Sequence, residues 1–153
     1  MANTFHQMYV QTIFAVKYRN AVVGKIWKSE LMTVIGNLIN ETGCKTIIVN
    51  GVEDHVHCFF GLKPALAVSD VMQSTKSKSS KWVNESNLLK HRFEWQIGFG
   101  SFSYSRSHIE AVYRYIQNQE RHHKKKSLKN EYMGMLDKYG IPYDLSNIFE
   151  DLI

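Results

Sequence analysis

EDHVHCFFGL, residues 53–62, places two histidines two positions apart in an otherwise apolar run. Side chains of an extended strand alternate between its faces, so His55 and His57 point one way and Val56, Cys58 and Phe60 the other. One face of this strand is built to pack. The other carries paired imidazoles, either ligands for a metal ion or solvated side chains on an open sheet face. Glu53 shares the histidine face by the same alternation. There it orients His55 or touches an ion through water, or it is a solvated acid at the start of the strand. Asp54 falls on the opposite side and reads as a turn residue.

The segments around this strand set its context. CKTIIVNGVE, residues 44–53, is a second strand separated from it by almost nothing, which predicts an antiparallel hairpin. Residues 6–17, HQMYVQTIFAVK, are rich in aromatic and β-branched residues and read as an earlier strand. Between them, in residues 24–43, Ile26, Trp27, Leu31, Val34, Ile35, Leu38 and Ile39 recur at helical spacing, with Gly43 as the stop. Residues 68–86 form a second helix, capped by Ser69 and carrying Asp70 in its first turn. WQIGFGSFSYS, residues 95–105, is an aromatic strand loosened by Gly98 and Gly100. Ser107 opens a long helix over residues 107–127, and the tail from Leu128 is a shorter helix with an extended end. The order β-α-β-β-α-β plus a C-terminal helix predicts an α+β fold of the ferredoxin-like, split βαβ kind. Its antiparallel sheet carries the crossover helices on one face. The other face is expected to be open, and it is the face of His55 and His57.

With 153 residues the chain suffices for one domain, 1–153, with a core of its own. A hydrophobic share of 44% beside 22% charged residues is that of a globular protein and excludes a disordered chain. Lys and Arg outnumber Asp and Glu by 19 to 14, giving a net charge of +5 and a pI near 9.2. That modest excess fits a polyanionic partner without requiring one. Cys44 and Cys58 are too few for a disulfide framework and read as buried thiols in a reducing compartment. The start MANTFHQMY lacks the layout of a signal peptide, and no apolar run reaches membrane-spanning length. A cytoplasmic protein without membrane contact is expected.

A second chemical signal lies in YRYIQNQ, residues 113–119. Tyr115 and Gln119 are four residues apart and stack on one helix face. A phenol, with a reference pKa of about 10, is a poor nucleophile at neutral pH. It becomes useful where the electrophile is polarised and a cation stabilises the developing charge. Two imidazoles and a glutamine carbonyl oxygen would supply three ligands to a divalent ion. Mg²⁺ favours oxygen donors, so this mixture suits Mn²⁺ at least as well. Tyr113, on a different helix face, is the alternative nucleophile and lacks a glutamine one turn on.

Four stretches together resemble the single-tyrosine HUH transposases, the small TnpA-like enzymes of bacterial insertion sequences and their REP-associated relatives. They are YVQTIFAVKYR, GVEDHVHCFF with its His-hydrophobic-His core, FEWQIGFGSFSYS, and YIQNQ. Phe99 stands where such enzymes often have tyrosine. The resemblance implies that His55, His57 and Gln119 hold Mg²⁺ or Mn²⁺. It implies that Tyr115 attacks a phosphodiester of single-stranded DNA, leaving a 5′-phosphotyrosine and a free 3′-hydroxyl. Rejoining then needs no nucleotide cofactor, in keeping with the absence of a phosphate-cradling Gly-rich loop. It further implies recognition of hairpins at element ends, and a homodimer in which the tyrosine helix of one subunit serves the other in trans.

Lys17, Arg19, Lys76 and Lys78 are candidates for contact with the DNA backbone, with Lys81, Tyr18 and Trp82 nearby in sequence. Trp82 reads equally as the anchor of the second helix, and Lys76 and Lys78 as solvated lysines. His122 and His123 read as part of a basic helix end that complements the helix dipole. Two other function classes fit the same residues. One is a metal-dependent nuclease using water, with no covalent intermediate. The other is a domesticated hairpin-binding module that does not cut.

Overall fold

A computed structural model describes residues 4–17, 25–119, 121 and 127–143. Four strands form one sheet: β1 (Tyr9–Ala15), β2 (Lys45–Gly51), β3 (His55–Gly61) and β4 (Gly100–Tyr104). Their order is β2-β3-β1-β4 and every neighbouring pair is antiparallel, the arrangement of a ferredoxin-like fold. The helices are α1 (Lys25–Glu41), α2 (Val68–Glu85), α3 (Ile109–Gln117) and α4 (Leu128–Lys138), with a 3₁₀ turn over Arg106–His108.

β1 and β3 are central, and alternation divides each between two cores. Val10, Phe14, Val56, Cys58 and Phe60 face α1 and α2, where Trp27, Leu31, Met32, Ile35 and Ile39 of α1 and Val71, Met72 and Val83 of α2 complete the main core. Val34 and Leu38 are only half-buried, and the side chain of Ile26 lies outside the described residues. α1 stops as its spacing suggests. Gly43 adopts φ +100°, a left-handed conformation that glycine takes without a Cβ penalty.

The second face of the sheet is covered, contrary to the expectation of an open surface. Phe59 packs with Val112 and Ile116 of α3. Ile13, Ala15 and Phe102 pack with Leu136 of α4. Both central strands are therefore buried on both sides, and the polar residues they carry toward α3 and α4 are buried with them.

Three further expectations are corrected. α2 begins at Val68, with Ala67 in the N-cap position and no side-chain cap, so Ser69 lies inside the helix; Asp70 does sit in its first turn. The strand expected over 95–105 is confined to Gly100–Tyr104. Upstream, Gly98 at φ +90° breaks it, and Trp95 pairs with Val16 in an isolated bridge. The long helix expected over 107–127 opens with the 3₁₀ turn that contains Ser107 and breaks at Asn118. α3 covers Ile109–Gln117, Gln119 and Arg121 are helical again, and residues 120 and 122–126 lie outside the described residues. Among the described residues, no helix is long and apolar enough to cross a membrane.

Candidate active site

The site is built on β3. His55 and His57 are both 0% exposed, and a buried imidazole needs partners for its nitrogens. His55 Nδ1 lies 2.7 Å from Asp54 Oδ1, and His57 Nδ1 lies 2.8 Å from Gln11 Oε1. A carboxylate and an amide oxygen can only accept, so each Nδ1 carries a proton. His57 Nε2 also faces an acceptor, Glu131 Oε1 at 3.1 Å, so a proton lies between those two atoms. Once it has left, the ring is neutral with its lone pair on Nε2. That is the tautomer through which a histidine supported in this way binds a metal. The two ring centroids are 5.2 Å apart. The Gln11 amide is fixed at its other end, where Nε2 donates to the Tyr104 hydroxyl at 2.9 Å.

Asp54, rather than Glu53, is the acid that holds His55. The strand begins at His55 and residues 53–54 form a bend, so alternation does not reach back to them; Glu53 is exposed.

α3 supplies the other half. Its apolar residues Val112 and Ile116 seat it on Phe59. Asn50 of β2 ties down its C-terminus, donating from Nδ2 to the carbonyls of Ile116 at 3.0 Å and Gln117 at 3.2 Å. These terminal carbonyls would otherwise lack helical donors. So held, Tyr115 places its ring centroid 5.9 Å from that of His57 of the same chain. Tyr113 is 39% exposed. Gln119 follows the helix C-cap at Asn118 yet is fully buried, with Nε2 donating to the Tyr115 carbonyl at 3.3 Å. Its Oε1 is buried with no hydrogen-bond partner among the described residues. Leaving such an acceptor unpaired costs roughly 1–3 kcal/mol, which a bound cation would offset.

Two participants escape the sequence. Gln11 reaches His57 from β1, and its only sequence signal is a polar side chain in an apolar strand. Glu131 of α4 has none. It is 5% exposed, with Oε1 3.1 Å from His57 Nε2. Burial first, then the hydrogen bond to Glu131 and the charge of that carboxylate, push the Tyr115 phenol well above its ordinary pKa, while Gln119 pulls the other way. At neutral pH Tyr115 is therefore a neutral phenol. No three His, Cys, Asp or Glu side chains cluster as a metal site among the described residues. The candidate donors are the two imidazoles, the Glu131 carboxylate beside His57 Nε2 and the buried amide oxygen of Gln119.

Lys17 Nζ is 3.5 Å from Glu94 Oε2. Lys76 Nζ donates to the carbonyls of Gln96 at 2.6 Å and Gly98 at 2.8 Å, and burial lowers its pKa. Lys78 is exposed on α2, which packs on the face opposite the histidines. Trp82 is half-buried against the main core. Arg19, Tyr18, His122 and His123 lie outside the described residues.

The comparisons with known proteins bear on the fold and the family. No curated protein matches the sequence. Among solved structures, a candidate transposase from Deinococcus radiodurans is similar with a TM-score of 0.62 at 18% identity, over 78% of this chain and 95% of that one. A REP-associated tyrosine transposase, solved bound to a REP hairpin, is similar with a TM-score of 0.52 at 12% identity, over 96% of this chain and 78% of that one. At such identities the likeness is one of fold. The profile of the family described as transposase IS200 like matches residues 4–119, which span the strand of the histidine pair and the helix of Tyr115 through to Gln119. The chain belongs to the IS200-like, Y1 transposase family.

Proposed function

We propose that this transposase cleaves and rejoins single-stranded DNA through a covalent 5′-phosphotyrosine, recognising hairpins at insertion-sequence ends. The observation that carries this reading is the seating of Tyr115 beside the buried histidine pair, with Gln119 one turn on. The Tyr115 oxygen forms a bond to phosphorus, and the bond from phosphorus to the 3′ oxygen breaks. The phenolic proton is lost and the departing oxygen gains one, so the products are a phosphotyrosine and a 3′-hydroxyl. The ester conserves the energy of the broken bond, and attack by a 3′-hydroxyl reverses the step. Glu131 is placed to receive the Tyr115 hydrogen bond, and Asp54 and Gln11 hold the imidazoles in one tautomer.

Mg²⁺ or Mn²⁺ fits this donor set, with His55 and His57 through Nε2 and Gln119 through Oε1. Bound, the ion would polarise the phosphate and stabilise the charge that develops on it. The hairpin-bound relative supports hairpin recognition by analogy of fold.

The resemblance also implies a homodimer with Tyr115 acting on the partner's histidines. The geometry of the single chain supports a site complete within one subunit, since Tyr115 already stands beside its own His57.

The test is incubation with single-stranded DNA from the flanks of the gene plus Mn²⁺, followed by a denaturing gel. A covalent protein–DNA adduct is expected. Cleavage without adduct would favour a water-using nuclease, and binding without cleavage a hairpin-binding module.

A further inference from the structure

Beside Tyr115 a cavity of about 780 Å³ opens between β4, α3 and α4. Its size lies within the range of small-molecule and cofactor sites. Tyr115 and Glu131 form its inner end, and Val112 and Met135 give it apolar wall. Tyr104 and Tyr139 add aromatic wall, their ring centroids 6.1 Å apart and edge to face. Tyr139 is 41% exposed although it follows directly on α4, and Lys138 at the rim carries its Nζ 5.8 Å from that ring. Two tyrosine rings, an apolar wall and a rim cation beside the attacking hydroxyl are the components by which proteins hold single-stranded DNA: bases stack on the rings and the cation meets the backbone.

Resting on the function proposed above, we propose that this cavity seats the nucleotide next to the scissile phosphate, its base against Tyr139 and Tyr104 and its backbone toward Lys138. No other occupant fits as well. A strand attacked by Tyr115 must pass the inner end of this cavity, because Tyr115 is one of its walls. Both ends of the Gln11 amide are taken by His57 and Tyr104, so that side chain is not available to read the base.

The experiment uses two fluorescein-labelled single strands of equal length, oligothymidylate and an oligomer of abasic sugar-phosphate units, with binding followed by anisotropy. One base stacked on an aromatic side chain is worth about 1–3 kcal/mol, or roughly 5- to 150-fold in affinity. Tyr139→Ala is expected to weaken oligothymidylate binding by a factor in that range and to leave abasic binding unchanged; Tyr139→Phe should keep the wild-type affinity. Gly134→Leu, at a cavity-lining helical position where leucine favours the helix, should fill the cavity and cause the same selective loss. Equal effects on both oligomers, or no effect of either variant, would overturn the proposal. The covalent-adduct assay on wild-type protein is read separately. Adduct formation with unselective variants rejects the seat alone, and absence of adduct rejects the chemistry on which it rests.

Discussion

Gln11 Oε1 and His57 Nδ1 meet at 2.8 Å although the two residues are not opposite each other in the sheet. Ile13 is the direct partner of His57 in the β1–β3 ladder, and Gln11 is paired with Phe59, two positions along. Only a long side chain spans that diagonal. The contact fixes the His57 tautomer from a neighbouring strand.

Removing that acceptor is expected to loosen the metal. Gln11→Leu should weaken Mn²⁺ binding by about 10–100-fold, the usual effect of losing a partner behind a ligating histidine. Asp54→Asn, which exchanges a carboxylate for a weaker acceptor behind His55, should act in the same direction and less strongly. Mn²⁺ titration followed by electron paramagnetic resonance reads this without catalysis. Wild-type affinity in Gln11→Leu would show that His57 does not depend on β1.

Tyr115→Phe removes one oxygen and should abolish the covalent adduct while DNA binding stays within about twofold, since roughly 0.4 kcal/mol at most is then at stake. Tyr113→Phe should leave adduct yield unchanged, because that ring is exposed and it is Tyr115 that stands beside His57. An adduct that survives in Tyr115→Phe and vanishes in Tyr113→Phe would transfer the role.

Mixing two inactive variants decides how the site is shared. His57→Ala and Tyr115→Phe proteins, allowed to exchange subunits, give about half heterodimers if they pair at random. A tyrosine acting in trans would then restore about a quarter of all sites. The contact of Tyr115 with its own His57 leads us to expect no recovery. Recovery near a quarter would mean that α3 is exchanged between subunits.

Ile116 is fully buried between α3 and Phe59. Ile116→Ala should cost about 2–5 kcal/mol of stability, as large-to-small core substitutions do, measured by urea denaturation. A smaller loss would indicate that α3 contributes little to the cooperative unit.

Burial pushes the Cys58 thiol up from 9.0 to about 12, against a small opposing effect from Thr12. The thiol should resist alkylation in native protein at about pH 8.5, where a free cysteine is half ionised, and react after unfolding. The sign for stability follows. The unfolded chain ionises first, so this contribution is intact below pH 9.0 and is lost as pH rises toward about 12.

The strand carrying the histidines was legible because it is central. Full burial on one face leaves the plain alternation Val56, Cys58, Phe60, and whatever interrupts it must belong to the other face. The lid over that other face was not legible. The long helix expected after Ser107 is interrupted at Asn118, just past the point where Asn50 from β2 takes up the carbonyls of Ile116 and Gln117. A contact between residues 66 and 67 positions apart leaves no periodic trace in the local sequence. Glu131 was invisible for a related reason: an acid on a short helix reads as solvent-facing until the docking of that helix is known. Asp54 lies in a bend, as a turn residue should, and Glu53 is exposed, the solvated acid of its second reading. What misled was extending alternation past the end of the strand, which put Asp54 on the side away from His55.

Because β3 assigns odd positions to chemistry and even positions to the main core, the protein has a reading frame in space as well as in its gene. Substitutions along the strand degrade one layer at a time. A single residue inserted between Gly51 and His55 could be absorbed by the connecting bend. The same insertion between Val56 and His57 would turn everything after it over, sending His57 among Phe14 and Leu31 and lifting Cys58 and Phe60 toward Tyr115. Deletion-and-insertion scanning across residues 52–60 should therefore fall from tolerance to complete loss within a step or two, at the place where bend becomes ladder.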